Sequence, residues 1–263
     1  MTKNNFPYRA WTICITLLIW HTASLAESST ASIKTPGADL ANFPNSAFTL
    51  PQGHAYAELS PINYASHDSI DTPSQYSAGY LLRYGLLDDL ELRLFSLGYT
   101  QLNDENKTKG LSPQVFDIKW HLLDESKDSL LPAIGLEVAL QTDLASPNFK
   151  NGLQPALSLN FDQSLPYDIA LEYNLGFITQ QSNLGKTQYQ LALSWALQRD
   201  VIEDLAVFIH GYTNTATGAT SSAIGGGLQW TPARRISIFS NLNAGLTDST
   251  PAISTLTGFA IAF

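Results

Sequence analysis

The sequence predicts an all-β protein: a transmembrane antiparallel β-barrel of about twelve strands in up-and-down order. Three observations predict it. Apolar and polar residues alternate through most of the chain, the period of a strand with one face in an apolar medium. Charged residues are 14% of the total, against ~25% in an average soluble protein, yet no stretch is apolar enough to cross a bilayer as a helix. The chain closes on Thr255-Leu256-Thr257-Gly258-Phe259-Ala260-Ile261-Ala262-Phe263, with Phe259, Ile261 and Phe263 on one strand face. A terminal aromatic on a closing strand suits the lower aromatic girdle of an outer-membrane barrel. A soluble β-sandwich or periplasmic barrel also alternates. Twelve regular segments behind an export signal fit the membrane barrel better.

Residues 1–26 have the pattern of a secretory signal peptide. Lys3 and Arg9 give a positive start, Trp11 to Trp20 is an apolar run, and Ser24-Leu25-Ala26 places small residues at a cleavage site. The apolar run is too short to span a bilayer, which takes ~20 residues. The one cysteine, Cys14, lies in this segment. A chain cleaved after Ala26 has no disulfide, thiolate metal site or cysteine nucleophile. Loss of Lys3 and Arg9 takes the net charge from −9 to −11, which argues against a nucleic-acid partner.

Residues 27–50 read as a polar leader, either a loose periplasmic tail or a segment folded into the barrel, and residues 51–263 as the barrel. The first strand, near 53–64, has the weakest alternation. The second and third, 74–86 and 90–101, form a hairpin around Leu87-Asp88-Asp89 that sets Arg83 opposite Arg93, Tyr84 opposite Leu92 and Leu86 opposite Leu90. Further alternating segments follow at 113–123, 131–142, 153–163, 169–177, 188–198, 205–214, about 220–230, 236–246 and the closing strand. An even count leaves both ends on one side. Connections after even-numbered strands read as tight periplasmic turns, and those after odd-numbered strands as longer polar loops. Tyr84, Trp120, Tyr167, Trp195, Trp230 and Phe263 fall on the periplasmic side as a girdle.

Two stretches carry a family resemblance. Asn45-Ser46-Ala47-Phe48-Thr49-Leu50-Pro51-Gln52-Gly53-His54 leads into the first strand. Tyr84-Gly85-Leu86-Leu87-Asp88-Asp89-Leu90-Glu91-Leu92-Arg93 is followed by Phe116-Asp117-Ile118-Lys119-Trp120. Together they resemble the outer-membrane transporter-like family of the "MetA-pathway of phenol degradation", over roughly residues 45–263. The resemblance implies a barrel, a channel role and cargo of small aromatic compounds. It supplies no catalytic motif.

The remaining question is what faces the lumen. Strand parity turns Arg83, Glu91, Arg93, Asp117, Lys119, His121, Glu137 and Glu172 inward. Buried charges of mixed sign call for pairing. They read equally as a constriction that filters solutes or as a network that rigidifies a narrow barrel. Parity also turns Phe95, Tyr99, Phe208, Tyr212 and Phe239 inward, as lumen packing or as a track for apolar solutes. The four histidines beyond residue 26 are scattered without metal-ligand spacing, so neither metal nor cofactor is expected. The function expected is passive passage of small solutes, aromatic or hydrophobic ones among them. The alternatives are a structural or adhesive barrel with a plugged lumen, and a barrel lipid hydrolase. The hydrolase would need a Ser–His pair on the lipid face near the outer rim, and no such arrangement is evident. Expected partners are outer-membrane lipid, lipopolysaccharide, the barrel-assembly machinery through the strand ending at Phe263, and small solutes.

Overall fold

The computed structural model describes residues 31–68, 72–126, 130–181, 187–216 and 219–263. The expected signal segment lies outside the described residues. Thirteen strands form one sheet: β1 (Ala55–Ala65), β2 (Gln75–Leu87), β3 (Leu90–Leu102), β4 (Lys109–Leu111), β5 (Val115–Leu123), β6 (Ala133–Gln141), β7 (Gln154–Leu165), β8 (Ile169–Gln181), β9 (Thr187–Ile202), β10 (Leu205–Ala216), β11 (Ala219–Ala233), β12 (Ile236–Gly245) and β13 (Ile253–Ala262). Each pairs antiparallel with its chain neighbour, apart from β4, a three-residue strand lying on β3 within a loop while β3 goes on to pair with β5. β1 pairs with β13 and closes the ring at twelve strands. Closure satisfies every edge, the condition for a sheet surrounded by lipid.

The outward rows are apolar and exposed: Leu82, Tyr84, Leu92, Phe116, Ile118, Leu157, Leu175, Leu193 and Ile209 are among them. The inward rows hold the buried polar residues, such as Glu58, Arg83, Lys119, Asn160 and His210. One end of the barrel, the turn end, carries the start of β1, the end of β13 and short connections after β2, β7, β9 and β11. Phe263 N–H donates to the Ala55 carbonyl there at 2.8 Å. The connection after β5 is longer than a tight turn, since β6 begins only at Ala133. At the opposite, loop end, β10 and β11 are separated only by residues 217 and 218, so that connection is short where the pattern predicts a longer loop.

The β2–β3 hairpin pairs Arg83 with Arg93 and Tyr84 with Leu92 as expected, but Leu90 meets Leu87 rather than Leu86, because the ladder shifts by one residue after Gly85. Tyr84, Trp120, Trp230 and Phe263 are exposed near the turn end, and Tyr167 stands in a turn there. Trp195 departs from that girdle. It lies mid-strand, paired with Tyr173 and Gly211, and its ring occupies the space beside Gly211 where another side chain would stand.

Two bulges break the alternation, and the first explains the faint pattern of β1. In β1 the pairing to both neighbours shifts around Ser60–Ile62, at Pro61, which has no N–H for the ladder. In β3 the pairing slips at Gly98, where Ala78 faces both Gly98 and Tyr99. Gly98 has φ +63°, and a Cβ there would sit 2.0 Å from the Ala78 carbonyl oxygen. The extra residue reverses the faces beyond it.

Candidate functional site

Residues 31–54 lie inside the barrel and use its inward residues as hydrogen-bond partners. The segment enters at the turn end, where Ile33 N–H donates to the Arg234 carbonyl at 2.9 Å and Lys34 pairs with Asp204. It reaches mid-barrel near Asp39–Asn45 and returns to the turn end, where Gly53 N–H donates to the Gly85 carbonyl at 2.8 Å. A loop inside a barrel has backbone groups that water cannot easily satisfy, and here the wall supplies partners. Glu58 accepts from Asp39 N–H and Leu40 N–H at 3.2 and 2.8 Å. Asn241 donates to the Ala41 carbonyl at 2.9 Å. Asn174 accepts from Asn45 N–H at 2.6 Å and donates back to the Asn45 carbonyl at 2.8 Å. Asp162 accepts from Ser46 and from Ala47 N–H, and Glu91 from Leu50 N–H at 2.8 Å. Glycine lets the segment touch the wall: a Cβ on Gly135 would meet the Ala47 oxygen at 2.7 Å, and one on Gly85 the Pro51 oxygen at 2.2 Å.

Three of the charged residues expected in the lumen meet at Asp39. Its carboxylate lies 3.3 Å from Arg83, 3.3 Å from Arg93 and 2.7 Å from Lys119. Arg83 and Arg93 stand directly opposite on neighbouring strands, an unfavourable like-charge pair unless anions intervene. Glu91 takes Arg83 on both oxygens, at 2.6 and 3.1 Å, and Glu58 takes its Nη1 at 3.1 Å. Arg93 Nη1 bridges Glu137 at 2.7 Å and Asp117 at 3.3 Å. Burial pushes the Asp39 carboxyl up, but Arg83, Lys119 and Arg93 prevail and hold it well below the usual carboxylate range. Glu172 accepts from Asn42 at 3.0 Å. The His121 ring lies between the Ala47 carbonyl and Asp124, and stacks on Phe48.

The inward aromatics divide. Phe208 and Phe239 are buried in one apolar cluster with Ile33, Ala41 and Leu50 of the segment and with Tyr56 of β1, so they pack the segment rather than line a track. Phe95 and Tyr212 line cavities beyond it. Tyr99 does not face the lumen: the Gly98 bulge turns it to the outside, where it is 45% exposed.

His210 is buried on the inward face of β10. Its Nδ1 accepts from Phe43 N–H at 3.1 Å and its Nε2–H donates to Asn243 at 2.6 Å, which fixes the tautomer, and Phe43 stacks on the ring at 4.0 Å. Asp39, Asn45, Glu58, Asp162 and Asn174 were not singled out from sequence. Inward parity within their strands marks Glu58, Asp162 and Asn174. Nothing in the irregular leader marks Asp39, and Asn45 is marked only as the first residue of the stretch that carries the family resemblance.

Beyond the segment, toward the loop end, the interior is open. One cavity of about 370 Å³ is bounded by Asp39, Asn42, Arg93, Phe95, Asp117, Glu137 and Leu256 among others. A second, of about 320 Å³, is bounded by Asn174, Ile178, Ser194 and Tyr212 among others. Phe43, Asn45, Glu137 and Ala139 border both.

Among solved structures, the fold is similar to an outer membrane channel from Pseudomonas putida F1, at 14% identity and TM-score 0.59 over 84% of this chain and 99% of that one. It is also similar to the KdgM porin in complex with disordered oligogalacturonate (8% identity, TM-score 0.54, 80% and 99% covered) and to the NanC porin (8%, 0.53, 79% and 98%). Comparison with curated proteins gives no match. The model of one family matches residues 38–263, which takes in the lumen segment from Ala38 onward, Asp39 included, and every strand. The chain belongs to that family, described as "Putative MetA-pathway of phenol degradation".

Proposed function

We propose that the chain is an outer-membrane channel for small solutes. Its path runs through the two cavities of the loop-end half, and residues 31–54 restrict it at the turn end. One observation carries this reading. The interior of the ring is filled by the segment on one side of Phe43–Asn45 and is open on the other, with cavities of about 370 and 320 Å³. A barrel serving only as a scaffold has no use for that space. In this reading the loop end faces outward and the turn end the periplasm. Export through cleavage of residues 1–26 and assembly through the strand ending at Phe263 belong to the same reading. The belt of Arg83, Glu91, Arg93, Asp117, Lys119 and Glu137 then does two things: it anchors the segment, and it forms the charged wall of the constriction. The family's description, with Leu81, Phe95, Val115 and Leu256 on the cavity wall, favours small aromatic or hydrophobic compounds as cargo.

The test is single-channel conductance in a planar bilayer, for the folded full chain and for a chain lacking residues 31–50. The expected outcome is a small conductance in the first and one several-fold larger in the second. Silence in both, from protein whose circular dichroism shows an intact barrel, rules the channel out and leaves a closed structural barrel.

A further inference from the structure

On the channel reading above, we propose that residues 31–41 are a displaceable strap. They cover an apolar strip that joins the larger cavity to the turn end, and their withdrawal opens that strip to uncharged, apolar solutes. Residues 42–54 stay in place as the strap moves.

The two limbs of the segment rest on different parts of the wall. Ala31, Ile33, Ala38 and Ala41 of the first limb pack on Tyr56 of β1, Phe208 of β10, Phe239 of β12, and Ala260 and Ala262 of β13. The second limb is held by Asn174 of β8, Asp162 of β7, Glu137 of β6 and Glu91 of β3, and then runs directly into β1 at Ala55. The first limb contributes to no strand, so its departure leaves every ladder of the ring intact.

The cavities follow the same division. The larger one ends on Asp39 and Leu40 of the first limb, whereas the smaller meets the segment only at Phe43 and Asn45. Leu40 and Leu256 line the larger cavity and also pack on the cluster of Phe208, Phe239 and Ala260. That cluster reaches the turn end, where Ala262 N–H donates to the Arg235 carbonyl at 2.9 Å. An apolar strip therefore runs from the cavity to the turn end, covered by the first limb with help from Leu50. Stripped of its cover the strip faces water at a cost, and an apolar solute lying on it offsets that cost.

Asp39 is the strongest tie, yet the wall does not depend on it. Without it, Glu58 and Glu91 remain on Arg83, and Asp117 and Glu137 on Arg93. Breaking a buried pair is most costly when it leaves an uncompensated charge, and here neither guanidinium is stranded. Lys119, whose one ion pair among the described residues is with Asp39, gains water as the strap leaves. At the turn end the strap is tied by Lys34 to Asp204, a half-exposed pair of the kind that contributes little.

The test uses the folded full chain with Cys14→Ser, which removes its one cysteine. Ala260→Cys places a thiol beneath the strap, at a position with no exposure, and its labelling by a water-soluble methanethiosulfonate reports opening. Lys34→Cys with Asp204→Cys, bridged beforehand by a short bismaleimide, ties the strap down. Gln52→Cys with Asp88→Cys, bridged in the same way, ties the second limb, where Gln52 N–H donates to Asp88 at 3.0 Å. In each bridged chain Ala260→Cys is replaced by Ala260→Ser during bridging controls, and the buried thiol escapes the linker while the strap is closed by Lys34 and Asp204. Labelling of Ala260→Cys is expected in the untied chain, is expected to persist with the second limb tied, and should be lost with the strap tied. No labelling of the untied chain, or equal labelling under both ties, overturns the proposal. Where Ala260→Cys does not fold, Ala262→Cys in the same cluster takes its place. The readout needs no current across a membrane. Labelling that only the strap tie abolishes, in a chain that conducts nothing, keeps the strap and loses the channel. Steady conductance with labelling equal under both ties keeps the channel and loses the strap.

Discussion

The two halves of the barrel interior are built from the same strands and yet differ in kind. Toward the turn end the inward rows carry Glu58, Arg83, Glu91, Lys119, Asp162 and Glu172, and the space between them is occupied by residues 31–54. Toward the loop end the inward rows carry Ser77, Thr100, Ala139, Ser158 and Asn214, the last three of which border open space. Strand period sets which residues face inward and is indifferent to what they are. The chemistry of each row follows from what it meets. Rows that meet a folded backbone hold ionisable and amide groups that satisfy its N–H and carbonyl groups, whereas the rows nearer the loop end hold small neutral ones at many positions. Arg83 and Ser77 show the contrast within one strand. Both are buried in β2, at 2% and 0% exposure. Arg83 binds Glu58, Glu91, Asp39 and the Gly37 carbonyl, while the Ser77 hydroxyl has no hydrogen-bond partner among the described residues.

The largest expected effect lies in the filled half. Arg83→Ala leaves Glu58 and Glu91 buried without their main counter-charge. Breaking a buried pair from one side costs about 3–5 kcal/mol. Urea unfolding of the barrel in lipid vesicles, followed by tryptophan fluorescence, should show a loss of that size. A loss under about 1 kcal/mol would mean that the belt is hydrated and that the halves do not differ as described.

Next in size is the tie between segment and wall. Asp39 has its carboxyl held below the ordinary range, so its contribution is fully present above the unfolded carboxylate pKa of about 4 and is lost as pH falls toward the folded value. The part of the docking that Asp39 supplies should therefore be unchanged between pH 7 and pH 5 and should weaken only below about pH 4. Asp39→Asn should raise open-channel current at pH 7 toward that of the chain lacking residues 31–50. Wild-type current that climbs already between pH 7 and pH 5 would assign the docking to other groups.

Much of the barrel was legible in the sequence, because a strand between lipid and lumen repeats every two residues and its pattern is local. All twelve strands of the ring, the pairing of Arg83 with Arg93 and the inward set from Arg83 to Glu172 follow from parity. The exceptions have physical causes. β1 was faint because Pro61 and the bulge beside it break the alternation. Tyr99 was misplaced because one glycine at positive φ inserts a residue, and a glycine in a strand does not announce that by itself. Trp195 counts as apolar and outward from its parity, but its height along the barrel depends on strand length, which alternation does not give. The partner of the charge belt was illegible for a different reason. Residues 31–54 have no period, and only the assembled ring shows that Asp39 meets three cations from β2, β3 and β5.

The bulge gives a prediction of intermediate size, in the wall of the open half. Gly98→Ala puts an L side chain at φ +63° with its Cβ against the Ala78 carbonyl. Strain of this kind costs roughly 1–3 kcal/mol, and the same unfolding measurement should report it. A neutral result would mean that the bulge relaxes and that Tyr99 is free to return to the lumen.

The smallest effect expected is the most direct probe of the contrast between halves. Ser77→Ala removes a buried hydroxyl that bonds nothing among the described residues, in the same strand as Arg83 and at similar burial. Removing a satisfied hydroxyl costs ~1 kcal/mol, but removing an unsatisfied one relieves a desolvation penalty. The variant should thus be neutral, or more stable by up to about 0.5 kcal/mol. The sign matters more than the size. A destabilisation comparable with that of Arg83→Ala would mean that Ser77 serves a water network spanning the open half. In that case the cavities are as firmly organised as the charge belt, and the neutral rows of the loop end would be as specific to their contents as the ionisable rows are to residues 31–54.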